Sequence, residues 1–510
     1  MGVWAASCRV WPYRHRPNVL IGLLLLSVLT HIAAAYFSEG RIHPDSDYQI
    51  LEFVQFKVEP SSDLTLPWEF FEAIRPALQP AIALMVHEGL AHGDPFKTSL
   101  LLRFISAGLG LVSAWLLCGY AFRWVREERF RLALMVLIST FWMLPWVHVR
   151  FSSESWAASL LAIAIVCVSI ACERSAERRW LLATLGGLTL GMVFFLRFPS
   201  AFAILGLGLW ALFIGRPGVK MLLAIAIGFF ISLLVNVMLD RWFYGEWVFT
   251  PWNYLVANIV EGRAAEFGVD PWWYYIEKLL LVLVPPVSLL LFVAMVAAVI
   301  LKPRHVLTWV SVCFLIGHSL IDHKETRFLI PVITPLLILG ILGMEALSDR
   351  FKAYSKRRFI IRGRVVMAGL FLTMNSFALV YVSVAPAQQE AVIHKWIYQM
   401  ATERPVTIFT WNQHPYHDGR GMVSFFRSPD VQFEPINAGT DLDTILRTQG
   451  QPLYIFTPSV EAPELLRQQC AALTLASSAL PAWLRRWDTA GRLASVRIWS
   501  IFQCAKDVSL

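Results

Sequence analysis

The sequence predicts an all-α polytopic membrane bundle of about eleven transmembrane helices with a small C-terminal extracytoplasmic α/β domain. Three observations lead there. Of the 510 residues, 57% are apolar and only 16% charged, against roughly a quarter charged in a soluble domain. Many apolar runs reach about 18 residues or more, enough to cross a hydrocarbon core of about 30 Å. Lys and Arg gather in alternate loops, and the intervening loops are acidic. The same figures exclude disorder, collagen-like repeats, a small disulfide scaffold and an ordinary water-soluble enzyme.

The first run, Val19–Phe37, follows Arg9, Arg14 and Arg16. It reads as an uncleaved anchor: Ala33-Ala34-Ala35 resembles a cleavage site, but the run exceeds the length of a signal core. Further runs centre on 98–122, 132–149, 155–172, 180–196, 199–214, 221–239, 278–301, 306–321, 328–346 and 365–385. The loops orient them. Arg123–Arg131 holds four arginines, Glu173–Arg179 three, Lys302–His305 two bases and Asp349–Arg364 seven. Arg216 and Lys220 fall in another such loop, and every one lies on the side of the basic N-terminus if the spans alternate. The expected orientation is therefore N-terminus cytoplasmic and C-terminus outside. The surplus of 44 − 36 = +8 charges is explained by topology, so no nucleic-acid partner is expected. The 21 tryptophans suit interfacial anchoring at span ends.

This divides the chain into a transmembrane module, residues 1–385, with a long first outer loop at 38–97, and an outer domain at 386–510. In the loop, Trp68–Ile74 has aromatics and acids at helical spacing, as in a helix lying in the interface. In the outer domain Val406–Trp411, Val431–Ile436, Leu453–Thr457 and Val496–Phe502 read as strands. Ala391–Thr402, Leu442–Thr448 and Glu464–Leu475 read as helices. Seven cysteines are scattered without metal spacing. Cys118, Cys167, Cys172 and Cys313 fall in or beside apolar runs, whereas Cys470 and Cys504 are a candidate pair if their domain is extracytoplasmic.

Ionisable residues crowd the outer ends of the spans: Arg41 to Glu52, Glu69 with Arg75, Arg150 to Glu154, Arg197, Asp240 to Asp270, and His323 to Arg327. Charges at span ends are ordinarily solvated anchors. Arg150, Arg197 and Arg327 stand on the side that the positive-inside rule disfavours, so they need partners or an anionic ligand, and a phosphate at the membrane edge would serve. Asp45 and Asp47 offer a general base.

These segments resemble glycosyltransferase family 22, lipid-linked mannosyltransferases of the GT-C fold. The family's Pro-Asp-Glu-x-x-Gln motif stands here as Pro44-Asp45-Ser46-Asp47-Tyr48-Gln49, followed by Glu52. Its Trp-Glu-Trp/Phe with a following Arg matches Trp68-Glu69-Phe70 and Arg75. Its Phe-Tyr-Gly and Asn-Phe match Phe243-Tyr244-Gly245 and Asn253-Tyr254, and its His-Lys-Glu-x-Arg-Phe is intact as His323 to Phe328. Arg150 to Glu154 matches a further segment loosely. Phe267 to Tyr274 looks most like the branch that adds the third mannose of the GPI anchor core. Ser46 stands where the family has Glu, and Asp270 and Trp273 where that branch has His, so the acceptor stays open.

The resemblance implies transfer of a mannosyl group, with inversion, from a polyprenyl (dolichyl-type) phosphate sugar to a glycolipid or glycan on the outer face. By position Asp45 would be the base, with Asp47 as the alternative base or an orienting group. Lys324 and Arg327, with Arg197 and His323, would hold the donor phosphate. Gln49, Glu52, Trp68, Glu69, Arg75, Arg150, Glu154, Asn253 and Glu325 would bind substrate. No cofactor or metal is demanded, although His43, Asp45 and Asp47 could hold a divalent cation. Basic inner loops without an ER-retrieval tail point to a bacterial inner membrane, with the ER membrane as the alternative. A transferase of another lipid-linked sugar and a flippase are the rival readings. A flippase should carry mid-membrane charges and paired halves, and neither is evident.

Overall fold

A computed structural model describes residues 17–60, 66–173, 178–282, 287–352, 358–417, 421–437, 439–449, 451–470, 472–482 and 497–505. The basic residues Arg9, Arg14 and Arg16, part of the loops 173–179 and 349–364, and Val496 lie outside them. The chain forms two compact units. The first comprises Met1–Ser38, Trp68–Ile82 and Leu101–Val384. The second comprises Glu39–Pro67, Ala83–Leu100 and Ala385–Leu510, so the loop at 38–97 contributes to both.

Among the described residues, eight helices are long and apolar enough to cross a membrane. They are Pro17–Phe37, Pro95–Ala121, Ser153–Ala171, Arg179–Leu196, Phe198–Gly215, Val219–Tyr244, Thr326–Arg350 and the stretch Arg358–Glu403. A ninth forms if Val287–Leu301 and Val306–Ser319, bent by 113°, act as one. The expected run at 132–149 is divided into helices Glu128–Thr140 and Met143–His148. Asn375 bridges the break: its Nδ2 donates to Thr140 O at 2.6 Å, and Trp142 N donates to its Oδ1 at 3.1 Å. An amide inserted into a helical ladder satisfies the backbone groups that the break frees. Glycines bring Arg179–Leu196 against Val219–Tyr244. A Cβ on Gly187 would stand 2.0 Å from Ile225 O, and one on Gly228 would stand 2.2 Å from Thr184 O. Small residues at such crossings let backbones approach in lipid, where packing is the main attraction.

The interfacial helix expected over Trp68–Ile74 is shorter. It spans Trp68–Phe71, and the chain then turns through Ala73 at φ 46°. That is a left-handed conformation costly for a residue with a Cβ, so neighbouring groups must hold it.

In the second unit a five-stranded sheet runs in the order β2-β1-β3-β5-β4. Its strands are β1 Val406–Trp411, β2 Val431–Ile436, β3 Leu453–Ser459, β4 Ala472–Ser478 and β5 Arg497–Ala505. β1 pairs parallel with β2 and β3, while β5 is antiparallel to β3 and β4. Period-two alternation sorts the core. Val406, Ile408, Tyr454, Phe456, Trp499 and Ile501 pack with Ile393 and Ile397 of helix Gln389–Glu403. Phe409, Leu453, Ile455 and Cys504 pack on the other face with Leu442, Leu446 and Leu466 of helices Leu442–Gln449 and Glu464–Gln469. Successive side chains of a strand point to opposite faces, so each strand serves both layers. The helix expected over Glu464–Leu475 ends at Gln469. Residues from Ala472 onward pair with β5 as an edge strand instead, and Cys470 is disulfide-bonded to Cys504.

Candidate active site

In the first unit, buried and half-buried ionisable groups form an alternating chain. Glu154 lies in the first turn of helix Ser153–Ala171, whose N-cap Ser152 accepts from Ser155 N. An anion there complements the N-terminal end of the helix dipole. Arg197, leaving helix Arg179–Leu196 in an extended conformation, donates from Nη1 to Glu154 Oε1 at 2.8 Å. Arg327 Nη1 stands 3.5 Å from the same oxygen. Arg327 also grips Glu325 with both prongs of its fork, Nε to Oε2 at 2.6 Å and Nη2 to Oε1 at 2.8 Å. His323 Nε2 is 3.1 Å from Glu325 Oε1. The Phe328 ring supports both guanidinium groups, at 4.4 Å from Arg197 and 5.4 Å from Arg327. Arg197 Nε is buried and lacks a hydrogen-bond partner among the described residues, and an orphaned buried donor costs about 1–3 kcal/mol.

Lys324 sits beside this chain but is engaged differently from the expectation. Its ammonium donates to Asp270 O at 2.8 Å, Ile321 O at 2.6 Å and Asp322 O at 3.3 Å. An ammonium has three donors, so all three are taken up in fastening the loop 321–324 to Asp270. His323 Nδ1 near Gly268 O at 3.2 Å and Asp270 N donating to Asp322 O at 3.0 Å join the same two loops. Arg150 is also committed inside the protein, donating to Ser38 O and, at 2.6 Å, to Ser38 Oγ.

A second feature of this unit is the turn after Trp68–Phe71. Asn253 Nδ2 donates to Glu72 O at 3.2 Å and to Ala73 O at 3.3 Å, and Tyr244 Oη donates to Arg75 O at 2.7 Å. Asp240 Oδ1 accepts from Ala77 N at 2.7 Å, while Thr250 Oγ1 steadies its Oδ2 at 2.8 Å. Gly245, at φ 81°, caps helix Val219–Tyr244 in the left-handed conformation that suits glycine. These clamps hold the strained Ala73 and so fix Arg75, whose Nη2 stands 3.7 Å from buried Glu69. The Trp68 ring lies 5.0 Å from the Arg263 guanidinium. Asn253, expected to bind substrate, is thus turned onto the backbone.

In the second unit, Pro44 opens a helical segment bearing Asp45 and Asp47. Asp47 N donates to Pro44 O at 2.9 Å. His43 Nδ1 is 3.1 Å from Asp45 Oδ1, and the Arg41 guanidinium pairs with Asp47. Gln49 shares the turn Asp47–Leu51 and is half-buried. Glu52, also expected to bind substrate, points into the protein and is fully buried. Its Oε1 accepts from Ser424 N at 2.8 Å and Phe425 N at 3.0 Å, and its Oε2 accepts from Ser424 Oγ. Burial pushes the Glu52 carboxyl up to about 7, against the pull of those donors. Of the stretch His414–Asp418, Tyr416 is buried and stacks on His394 with ring centroids 4.1 Å apart. Asp418 lies outside the described residues. No group of three or more His, Cys, Asp or Glu side chains is placed to hold a metal among the described residues.

The structure therefore brings Glu154, Arg197, His323, Glu325 and Arg327 together, with Trp68, Glu69, Arg75 and Asn253 in the same unit. Asp45, Asp47, Gln49 and Glu52 belong to the other. Sequence reasoning missed the clamps Asp240, Tyr244 and Thr250 and the partners Ser38, Ser424 and Phe425. Asp240, an acid at the end of an apolar run, and Tyr244, in the Phe-Tyr-Gly match, carried a signal without a role; Ser38, Ser424 and Phe425 act largely through backbone groups, which leave no trace in residue type.

Comparisons with known proteins address the family and the fold. The model of the Alg9-like mannosyltransferase family matches residues 22–417. GPI mannosyltransferase 3 of Debaryomyces hansenii is 26% identical over 357 residues, covering 66% of this chain and 61% of its own length. The Candida albicans protein of the same name is 24% identical over 321 residues, covering 63% of each. The chain thus spans about three fifths of the length of these curated relatives. Among solved structures, ArnT from Cupriavidus metallidurans bound to undecaprenyl phosphate aligns with a TM-score of 0.50 at 12% identity, over 96% of this chain and 98% of that one. That likeness shows a shared fold. With the family model matched over most of its length, the chain belongs to the Alg9-like mannosyltransferase family.

Proposed function

We propose that the protein transfers a mannosyl residue from a polyprenyl (dolichyl-type) phosphate mannose to a glycolipid or glycan acceptor, with inversion, on the outer face of the membrane. The acceptor hydroxyl oxygen forms a bond to the anomeric carbon as the bond from that carbon to the phosphate oxygen breaks. The proton passes to a carboxylate, and the lipid phosphate leaves with the bonding electron pair. Asp45 is the proposed base, with Asp47 beside it. Arg197 and Arg327 meet the leaving phosphate, Glu154 and Glu325 keep both guanidinium groups paired before the donor arrives, and Lys324 holds their loop. Preorganised cations aimed at developing negative charge are a large source of catalysis.

Arg197 is the observation that carries this reading. It is a buried guanidinium with an unpartnered Nε, next to a second arginine, in a chain of this family. The outer location is supported by basic loops on the opposite side and by the Cys470–Cys504 disulfide, which suits an oxidising compartment. The test is reconstitution with polyprenyl phosphate mannose, following mannose onto glycolipid by mass spectrometry. Asp45→Asn is expected to abolish transfer while the protein stays folded in detergent. Full activity of that variant removes the base assignment.

A further inference from the structure

The second unit places the 39–58 segment and the C-terminal residues 385–510 in one compact body, and hydrogen bonds and an ion pair join them. Ala387 N donates to Glu39 O at 2.7 Å, and Lys395 pairs with Glu39. Arg41 N donates to Gln388 Oε1 at 3.3 Å. Tyr48 Oη donates to Gly421 O at 2.8 Å. Glu52 takes the two backbone N–H groups of Ser424 and Phe425 and the Ser424 hydroxyl.

Residues four apart lie on one side of a helical segment, so Tyr48 and Glu52 form one anchoring side. Asp45 and Gln49 form another, and both are only half-buried. Pro44 fixes the entry of the chain, and Glu52 fixes the following turn. Between them the carboxylates have little freedom.

We infer that the C-terminal α/β domain is the positioning element for the Asp45–Asp47 carboxylates, and that Glu52 and Tyr48, docked on the 421–425 loop, are positioning residues rather than substrate ligands. This rests on the proposed transferase reading with Asp45 as base. A base delivers rate only when held in register with the proton it takes, and a displacement of about 1 Å can cost about a hundredfold. The buried carboxyl supports this in a second way. Glu52 accepts both backbone N–H groups at Oε1, and the amide oxygen of glutamine reproduces that pattern, whereas alanine leaves the two N–H groups orphaned.

The test uses the full-length protein in detergent and in vesicles, as Glu52→Ala, Glu52→Gln and Tyr48→Phe. Steady-state transfer is measured alongside hydrogen exchange of residues 45–58. Glu52→Ala is expected to lower kcat about ten- to a hundredfold, with donor and acceptor KM within about twofold and faster exchange confined to 45–58 and 421–425. Glu52→Gln is expected to recover most of the rate and the protection. The inference is overturned if both Glu52 variants raise KM at unchanged kcat, since that marks a substrate contact. It is also overturned if exchange quickens in Glu52→Ala without loss of kcat. If Glu52→Ala does not fold, Tyr48→Phe and Ser424→Ala carry the same comparison, with Ser424→Thr restoring the hydroxyl. Should Asp45→Asn prove active, the base assignment fails by itself, while the exchange data still report whether the domain holds the segment.

Discussion

Arg197 Nη1 donates to Glu154 Oε1 at 2.8 Å, and both side chains are more than nine-tenths buried. The pair is one link in a chain that continues through Arg327 to Glu325 and His323. Isolated charges buried this deeply would be very costly.

Removing the carboxylate should therefore be worse than removing an arginine's reach. Glu154→Ala leaves Arg197 uncompensated and Arg327 partly so, a loss on the order of 3–5 kcal/mol for breaking a buried pair. The expected outcome is a clear drop in the thermal midpoint in detergent. Arg327→Lys instead keeps the charge and loses the fork. It should raise the donor KM about tenfold or more while leaving the acceptor KM unchanged, measured by titrating each substrate separately. An unchanged donor KM would make Arg327 purely structural.

The turn at Ala73 gives a prediction of non-additivity. If Asn253, Tyr244 and Asp240 act by fixing Arg75, then Asn253→Ala and Arg75→Ala should each lower kcat/KM. The double variant should then be no worse than Arg75→Ala alone. Contacting residues commonly show coupling of about 0.5–3 kcal/mol in such a cycle. Strict additivity would show that Asn253 contributes by another route.

Glu52 makes the second unit sensitive to pH. Its carboxyl is held at about 7 in the folded protein against an ordinary value of 4.5, so the folded state binds more protons between those values. Stability from this group is full below pH 4.5 and is lost as pH rises through about 7. The thermal midpoint of the wild type should fall across this window relative to that of Glu52→Gln, which has no such proton to lose. Parallel pH profiles for the two proteins would refute the assignment.

The disulfide between Cys470 and Cys504 closes a loop with a sequence separation of 34 residues and ties the end of helix Glu464–Gln469 to β5. Cys470→Ser should destabilise the second unit by ~3–4 kcal/mol. Differential scanning calorimetry with and without reductant would measure this, and the wild type should show a mobility shift on reducing gels.

Much of the fold was legible. β1 and β2 coincide with the runs read as strands, because short runs rich in β-branched and aromatic residues mark strands by composition. The helix expected over Glu464–Leu475 overran into β4, Ala472–Ser478, whose alanines, leucines and serines carry no strong strand signal and whose positions are mostly half-buried. The division of the run at 132–149 was hidden, since hydropathy does not register a break that a distant Asn375 satisfies. Within the candidate site, residue type marked the charged positions but not their partners. Lys324 looks like an open cation until its three carbonyls are seen, and Glu52 looks like a substrate ligand until Ser424 and Phe425 are found against it.

The sequence by itself determined the class of the protein, the apolar runs and the motifs, because hydrophobic length, charge placement and period are local properties of the chain. The tertiary structure alone decided which charges neutralise one another and which carboxylates are turned inward. Those outcomes depend on groups that folding brings together: Arg197 reaches Glu154 across 43 residues, and Glu52 meets backbone N–H groups 372 and 373 residues away, which every residue type except proline carries alike.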